Sequence, residues 1–195
     1  MTPATRSRLP SRVPAGATPD GDGIAIGSGP IVVDAYVDFL CPFCKHFEEQ
    51  SGPELARMVE NDLIQLVYHP LGFLDGLSTT RYSTRAAAAS GCAANADRFV
   101  DYSHVLYAHQ PPEGGPGLSD AELVQLGLAI GLDQSFASCV AQRRYVEWVE
   151  YATARAIARG VSGTPSVLVH GVPVPANART IAAAVAAVAA AAARR

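Results

Sequence analysis

The stretch Pro30-Ile-Val-Val-Asp-Ala-Tyr-Val-Asp-Phe-Leu-Cys-Pro-Phe-Cys44 decides how the chain folds. Its first part is rich in β-branched and aromatic residues, which is typical of a strand. Pro42 suits the first turn of a helix, where its missing N–H costs nothing, and apolar residues recur at helical spacing over residues 43–60. The sequence therefore predicts a strand-to-helix junction that contains Cys41 and Cys44.

Further elements are predicted on both sides of this junction. Strands are expected over residues 23–27 and 62–70, and the chain is alanine-rich and amphipathic from about residue 80 to residue 160. Helices in this block are predicted at 80–96, 97–109, 119–130, 133–141 and 143–159, the third of them with a capping box from Ser119 to Glu122. Gly52-Pro53 is expected to interrupt the helix that follows Cys41.

Strand-forming residues return after Gly160. Residues 166–174 are predicted to form a hairpin that turns near His170-Gly171, and Asn177 is predicted to cap a last helix. Without the helical block, the element order is a βαβ unit followed by ββα. We therefore expect an α/β protein with the thioredoxin fold and an inserted α-helical domain.

Three parts of the chain follow from this order. They are a leader of residues 1–22, a thioredoxin-like domain of residues 23–79 and 161–195, and an inserted helical domain of residues 80–160. The leader holds four prolines, three arginines and few apolar residues, so we predict that it is disordered.

Composition excludes some partners. The chain has 195 residues, is 49% hydrophobic and carries a formal charge of −3, so it lacks the basic surplus that attracts nucleic acid or anionic lipid. No apolar run in this numbering has the length of a secretory signal or a membrane helix. Two interpretations stay open: a cytoplasmic protein, or an exported protein whose signal has been removed.

Cys41 and Cys44 carry the predicted chemistry. Their spacing brings two thiols within disulfide reach across one helical turn, and Cys41 lies where open N–H groups stabilise a thiolate. Cys44, one turn inside the helix, would resolve a mixed disulfide. A zinc half-site or an incidental spacing are the alternatives, but zinc needs two more ligands and Cys92 and Cys139 are far apart in sequence. We expect a redox pair, with neither a metal nor a cofactor.

Gly163-Thr164-Pro165-Ser166 stands directly before the predicted hairpin. Together with the Cys-Pro-Phe-Cys motif and the helical insertion, this Thr-Pro pair resembles the DsbA-like branch of the thioredoxin superfamily, of the actinobacterial type, over about residues 23–195. The resemblance implies that Cys41 is the nucleophile, that Thr164-Pro165 is a cis peptide facing it, and that the Thr164 backbone binds extended substrates.

The resemblance also implies a groove for substrate beside Pro165. Phe39, Leu40 and Phe43 are expected to be its exposed apolar contributors. Phe43 replaces the histidine of the better-known enterobacterial enzymes, a polar group that favours the Cys41 thiolate. Because of this replacement, and of Ala35 at a position where such proteins often have a buried acid, we expect a reduction potential nearer the middle of the range of about −120 to −270 mV.

A buried acid often lies six residues before the first cysteine in such proteins, but Ala35 occupies that position here. Asp34 and Asp38 are the nearby alternatives, and strand alternation would place both on the face opposite Ala35. Asp38 is predicted to be either a solvated strand-end residue or a proton relay. His46, on the same helix as the cysteines, either modulates Cys41 or is an ordinary exposed histidine.

Cys92 and Cys139 lie in the helical block. The resemblance implies a structural disulfide between them, whereas two buried free thiols would be usual in a cytosolic protein.

The leading prediction is a monomeric enzyme that donates its Cys41–Cys44 disulfide to reduced substrate proteins. The resemblance implies reoxidation by a membrane quinone-linked partner and favours a location outside the cytoplasm. The alternatives are a cytosolic reductase using a low-molecular-weight thiol, a related isomerase or glutathione-transferase-like enzyme, and a redox-inert module that binds peptide or zinc. An intact Cys-Pro-Phe-Cys motif argues against the second alternative, because those enzymes generally have a serine there.

Overall fold

The computed structural model describes residues 9–194, so residues 1–8 of the predicted leader lie outside it. The strands in this range are β1 (Ile24–Ile26), β2 (Ile31–Val37), β3 (Ile64–Pro70), β4 (Ser166–Val169) and β5 (Val172–Val174). The α-helices are α1 (Pro42–Glu60), α2 (Tyr82–Ala94), α3 (Phe99–Ala108), α4 (Asp120–Ala129), α5 (Gln134–Ala141), α6 (Val146–Ala158) and α7 (Ala178–Ala192). Every predicted strand and helix is present.

The strands form one sheet with the order β1-β3-β2-β4-β5, in which β2 and β3 are parallel and the other pairs are antiparallel. Helices α1 and α7 contact each other and the sheet, and they share a core with the Val33 and Ala35 face of β2. On the other face, Tyr36 packs with Ala152 and Ala156 of α6. The predicted α/β fold with a helical insertion is confirmed.

The central position of β2 fixes where α1 begins. Because β2 has a neighbour on each side and its sheet is covered on both faces, its last residue, Val37, is only 2% exposed. The four residues that lead from β2 to α1 are also buried. The paired cysteines are therefore presented at the carboxyl end of the central strand.

The local signals at turns and helix starts are confirmed. The hairpin between β4 and β5 turns at His170 and Gly171, whose φ angles of 51° and 80° both lie in the left-handed region, as a two-residue type I′ turn requires. Ser119 and Glu122 form a complete capping box at α4. The Asn177 side chain accepts a hydrogen bond from the Thr180 N–H at the start of α7.

Helices α2 to α6 lie between β3 and β4 in the chain. α2 is the centre of this group: all of its residues except Arg85 are buried, and it contacts α3, α5 and α6. Its many alanines allow neighbouring helices to approach it closely on every side. None of the described helices combines the length and the apolar character needed to cross a membrane.

Two predictions about the chain path need correction. Gly52-Pro53 does not interrupt the helix after Cys41, because α1 is continuous from Pro42 to Glu60. The predicted disorder of the leader was wrong for residues 9–22. In that segment the Gly21 carbonyl accepts a hydrogen bond from the Trp148 indole at 2.9 Å, and buried Asp22 pairs with Arg159 at 2.7 Å. The segment is held by hydrogen bonds and ion pairs to distant parts of the chain, which its composition did not reveal.

Candidate active site at the start of α1

Cys41 is the N-cap residue of α1, and Cys44 lies one turn inside the helix. Both are free thiols, and they are 4% and 0% exposed. The Asp38 backbone N–H donates a hydrogen bond to Cys44 Sγ at 3.4 Å. The more accessible sulfur is therefore at the open end of the helix, and the other is enclosed beneath it.

The surroundings of the two sulfurs shift their pKa values in opposite directions. The pKa of Cys41 is lowered from its ordinary 9.0 to about 6, mainly by a hydrogen bond from the Cys44 side chain and further by the backbone N–H groups of Phe43 and Cys44, against the effect of burial. Burial raises the pKa of Cys44 far above its ordinary value, and the hydrogen bond with Cys41 adds to this. At neutral pH, Cys41 is therefore the thiolate and Cys44 the thiol.

We expect ultraviolet titration of the reduced protein to show one thiolate forming with a midpoint near pH 6. Since the folded-state pKa of Cys41 is lowered, its ionisation stabilises the folded reduced protein fully above pH 9, and this contribution disappears as the pH falls from 9 to about 6. The Cys41→Ser variant serves as the control and should show no transition in this range. A midpoint near 9 in the unmutated protein would contradict the assignment.

Asp38 organises the loop that precedes Cys41. Its carboxyl oxygens accept hydrogen bonds from the Leu40 and Leu74 N–H groups, both at 2.9 Å. Burial raises the pKa of Asp38 to about 6, although these two hydrogen bonds oppose the change. The acid therefore ties the junction to a second loop and titrates in the same range as Cys41.

The interpretation of Asp38 as a solvated residue was wrong, because the residue is 0% exposed. The predicted shared face of the two aspartates stays a prediction, because β2 ends at Val37 and strand alternation does not define where the Asp38 side chain lies. Asp34 lies 3.0 Å from His69 on the neighbouring strand.

Thr164 and Pro165 lie beside Cys41, immediately before β4. Their peptide bond is cis, and Cys41 Sγ lies 3.3 Å from the Thr164 carbonyl oxygen. Segments 123 residues apart in sequence are thus brought into direct contact at Cys41.

A groove of about 640 Å³ opens at this point. Phe43 is 71% exposed and Ile157 is 60% exposed, and both line the groove. The remaining lining is supplied by Cys41, Pro42, Phe73, Leu74, Glu113 and residues 160–164. Phe39 and Leu40, which were expected to contribute exposed surface here, are instead buried in the core at 0% and 1% exposure.

Gln110, from the loop after α3, also holds the junction in place. Its side-chain amide donates to the carbonyls of Phe39 at 2.9 Å and Cys41 at 3.0 Å. No motif marks this glutamine in the sequence, and only the folded chain brings it to the active site.

The other predicted site residues lie elsewhere. His46 is exposed on α1. Cys92 of α2 and Cys139 of α5 are joined by a disulfide with a Cα–Cα distance of 5.8 Å. Within residues 9–194, no three or more His, Cys, Asp or Glu side chains are grouped so that they could hold a metal ion.

A dithiol at the start of the helix after the central strand, opposite a Thr-Pro peptide and beside inserted helices, defines the DsbA-like thiol–disulfide oxidoreductases. The family model described as thioredoxin matches residues 20–189. The chain belongs to the thioredoxin family.

Two solved structures support the DsbA-like assignment. Reduced DsbA from Mycobacterium tuberculosis is 30% identical, with a TM-score of 0.71 over 80% of this chain and 85% of that chain. The reduced disulfide bond oxidoreductase DsbG from the same organism is 32% identical, with a TM-score of 0.71 over 81% of this chain and 82% of that chain. The resemblance inferred from the sequence is confirmed, and the chain is an enzyme of dithiol–disulfide exchange.

A curated relative is much longer. The serine/threonine-protein kinase PknE of Mycobacterium tuberculosis is 31% identical over 128 residues, which cover 61% of this chain and 23% of the kinase. This chain therefore spans about a quarter of that protein, and the kinase name describes PknE alone.

Proposed function

We propose that the protein donates the Cys41–Cys44 disulfide to reduced substrate proteins. The observation that carries this proposal is the lowered pKa of Cys41 above a buried Cys44. A stabilised thiolate favours the reduced form of the enzyme and therefore makes its disulfide a better oxidant. At pH 7, a Cys41 pKa of about 6 stabilises the reduced form roughly tenfold over an ordinary thiol, which corresponds to about 30 mV.

The pKa of Cys41 also supports an oxidising strength between those of thioredoxin and DsbA. The corresponding cysteine has a pKa of about 7 in thioredoxin and about 3.5 in DsbA, and Cys41 lies between them. Exposed Phe43 adds no charge that would stabilise the thiolate further. The proposed potential is accordingly between the two extremes of about −270 and −120 mV.

The reaction proceeds by two thiolate exchanges. A substrate thiolate attacks the sulfur of Cys41, the Cys41–Cys44 bond breaks, and Cys44 leaves with the electron pair. A second substrate thiolate then attacks the substrate sulfur of the mixed disulfide and expels Cys41 as a thiolate. Because Cys41 has the lower pKa, it is the better leaving group in this second step. The substrate becomes a disulfide and the enzyme a dithiol.

Asp38 is proposed to supply the proton that Cys44 needs in the first step. Cys44 cannot remain a thiolate, because burial raises its pKa so far. Asp38 already hydrogen-bonds Cys44 through its backbone, and its pKa of about 6 leaves it partly protonated near neutral pH. In the reverse direction, the Asp38 carboxylate would accept the proton from Cys44.

Asp38→Asn is expected to slow the exchange step by on the order of a hundredfold. The variant removes the proton donor but keeps the size of the side chain. Rapid-quench measurement of the exchange between pH 5 and pH 8 should show a lower rate at every pH, while the dependence near pH 6 that the Cys41 thiolate causes is retained. Asp34→Asn, on β2 four residues before Asp38, is the matched control and should leave the rate unchanged.

Measuring the pKa of Cys41 in Asp38→Asn distinguishes loss of a proton donor from disruption of the loop that precedes Cys41. Loosening the start of α1 would raise the pKa of Cys41, whereas removing the negative charge of Asp38 should not. A raised Cys41 pKa in Asp38→Asn would therefore contradict the proton-relay role.

The groove beside Cys41 supports protein substrates presented in extended form. We propose that the Thr164 backbone pairs with a substrate backbone beside Pro165, and that exposed Phe43 contacts substrate side chains. A quinone-linked membrane protein is proposed as the reoxidant, and the working form is proposed to be a monomer. In the same scheme residues 80–160 act as an inserted helical domain beside the thioredoxin-like part.

A location outside the cytoplasm is proposed for the same protein. The disulfide between Cys92 and Cys139 supports it, because such bridges persist mainly in oxidising compartments.

Equilibration of the pure protein with glutathione buffers tests the proposed direction. We expect a potential between about −120 and −270 mV, and transfer of the disulfide to reduced, unfolded ribonuclease A. A potential at or below about −270 mV, together with rapid turnover in insulin reduction, would identify a reductase. A reduction potential of about −120 mV would contradict the proposed intermediate oxidising strength but not the donation of disulfides to substrates.

A further inference from the structure

A second cavity, of about 520 Å³, lies between α1, the strands β1 and β3, and α3. It shares no lining residue with the active-site groove. Its walls are mostly apolar, with contributions from Ile26, Ala56, Val59, Leu66 and Val100. Both its volume and its lining are typical of sites that enclose small molecules.

The polar groups of this cavity are predominantly acidic. Glu48, Glu49 and Glu60 line it, and its described lining contains no lysine or arginine. Glu48 is the innermost of the three, since its side chain is only 8% exposed. An acidic group in an apolar cavity favours a ligand with a positive charge.

The Glu48 carboxylate retains capacity for another donor. It accepts hydrogen bonds from the Tyr68 hydroxyl at 3.3 Å and from His104 Nε2 at 3.0 Å. A carboxylate has about four acceptor positions, so two donors do not saturate it. His104 is 55% exposed in its side chain, so an incoming cation can displace it into solvent.

Gly52 and Pro53, in the middle of α1, leave space beside the Glu48 carboxylate. A Cβ atom at Gly52 would lie 2.9 Å from Glu48 Oε1, so any other residue there would crowd it. Pro53 follows, also lines the cavity, and has no N–H to give to the Glu49 carbonyl. Glycine and proline both weaken a helix, and here both border the same cavity.

From these observations we propose that the cavity is a binding site for an amphiphilic amine, with the apolar body between α1 and α3 and the ammonium group on Glu48. Such a ligand would contact both the thioredoxin-like part and the inserted helices. The site does not depend on the redox chemistry and would stand if the proposed direction of disulfide exchange were wrong.

Titration calorimetry with three probes that share one apolar body tests the site in the full chain. The probes are phenylbutylamine, phenylbutanol and phenylbutyric acid. We expect the amine to bind at least about tenfold more tightly than the alcohol, and the acid to bind most weakly. Equal affinity for all three probes would overturn the proposal.

Three variants test whether the amine binds in this cavity. Ala56→Trp places a bulky side chain in the cavity from an exposed position, and amine affinity should fall by at least about tenfold. Ala186→Trp, at an exposed alanine of α7, is the matched control and should bind like the unmutated protein. Glu48→Gln should remove the preference for the amine over the alcohol. Unchanged amine affinity in Ala56→Trp would overturn the proposal even if Glu48→Gln failed to fold.

Discussion

Replacing Cys41 by serine is expected to reduce disulfide exchange by on the order of a thousandfold or more, to the uncatalysed level. The serine hydroxyl cannot provide the stabilised anion that the start of α1 provides for the Cys41 sulfur. The remaining Cys44 cannot substitute for it, because it is fully buried and its pKa is raised far above the ordinary value by that burial.

Cys44→Ser is the informative partner of this variant. Its Cys41 still forms a thiolate but has no second sulfur to resolve a mixed disulfide. Incubation of the reduced variants with oxidised glutathione, followed by mass spectrometry, should show one bound glutathione on Cys44→Ser and none on Cys41→Ser. Rapid modification of Cys44 in the Cys41→Ser variant would mean that the roles of the two cysteines have been exchanged.

The second large effect is expected on stability. Replacing both Cys92 and Cys139 by alanine should lower the free energy of unfolding by about 4 kcal/mol, because their bond closes a loop with a sequence separation of 47. Alanine is preferred to serine, since both positions are buried and a hydroxyl group there would need a partner. Urea denaturation gives the difference.

The two active-site cysteines are removed for that measurement. The experiment is made in a background with Cys41 and Cys44 both replaced by alanine, so that no other thiol can rearrange. A loss below about 1 kcal/mol would show that the bridge contributes little and that packing around α2 supports the inserted helices by itself.

The sequence predicted the elements well where the signal was local. Hydrophobic periodicity, Pro42 at a helix start and the capping residues Ser119 and Asn177 each act within a few positions, so their effects could be read directly. The paired cysteines were equally visible, because their spacing and their position after a strand are themselves the motif.

The remaining features depend on contacts between distant segments. The Leu74 N–H and the Gln110 amide reach the active-site loop from other parts of the chain, and neither carries a sequence signal. The environment of Asp38 depended on β2 ending at Val37, a boundary that periodicity does not define to one residue. The anchoring of residues 9–22 by backbone and carboxylate oxygens also had no apolar pattern to reveal it.

The bridge between α2 and α5 has a consequence for how each molecule matures. Formation of this bond removes two electrons from the chain, so a newly synthesised molecule needs an oxidant before it reaches the described state. Its four thiols can pair completely in three ways, and only the pairing that joins Cys92 to Cys139 leaves Cys41 and Cys44 together. Each new molecule of the protein therefore needs one thiol oxidation, at Cys92 and Cys139, of the same kind as the oxidation that we propose it carries out on its substrates.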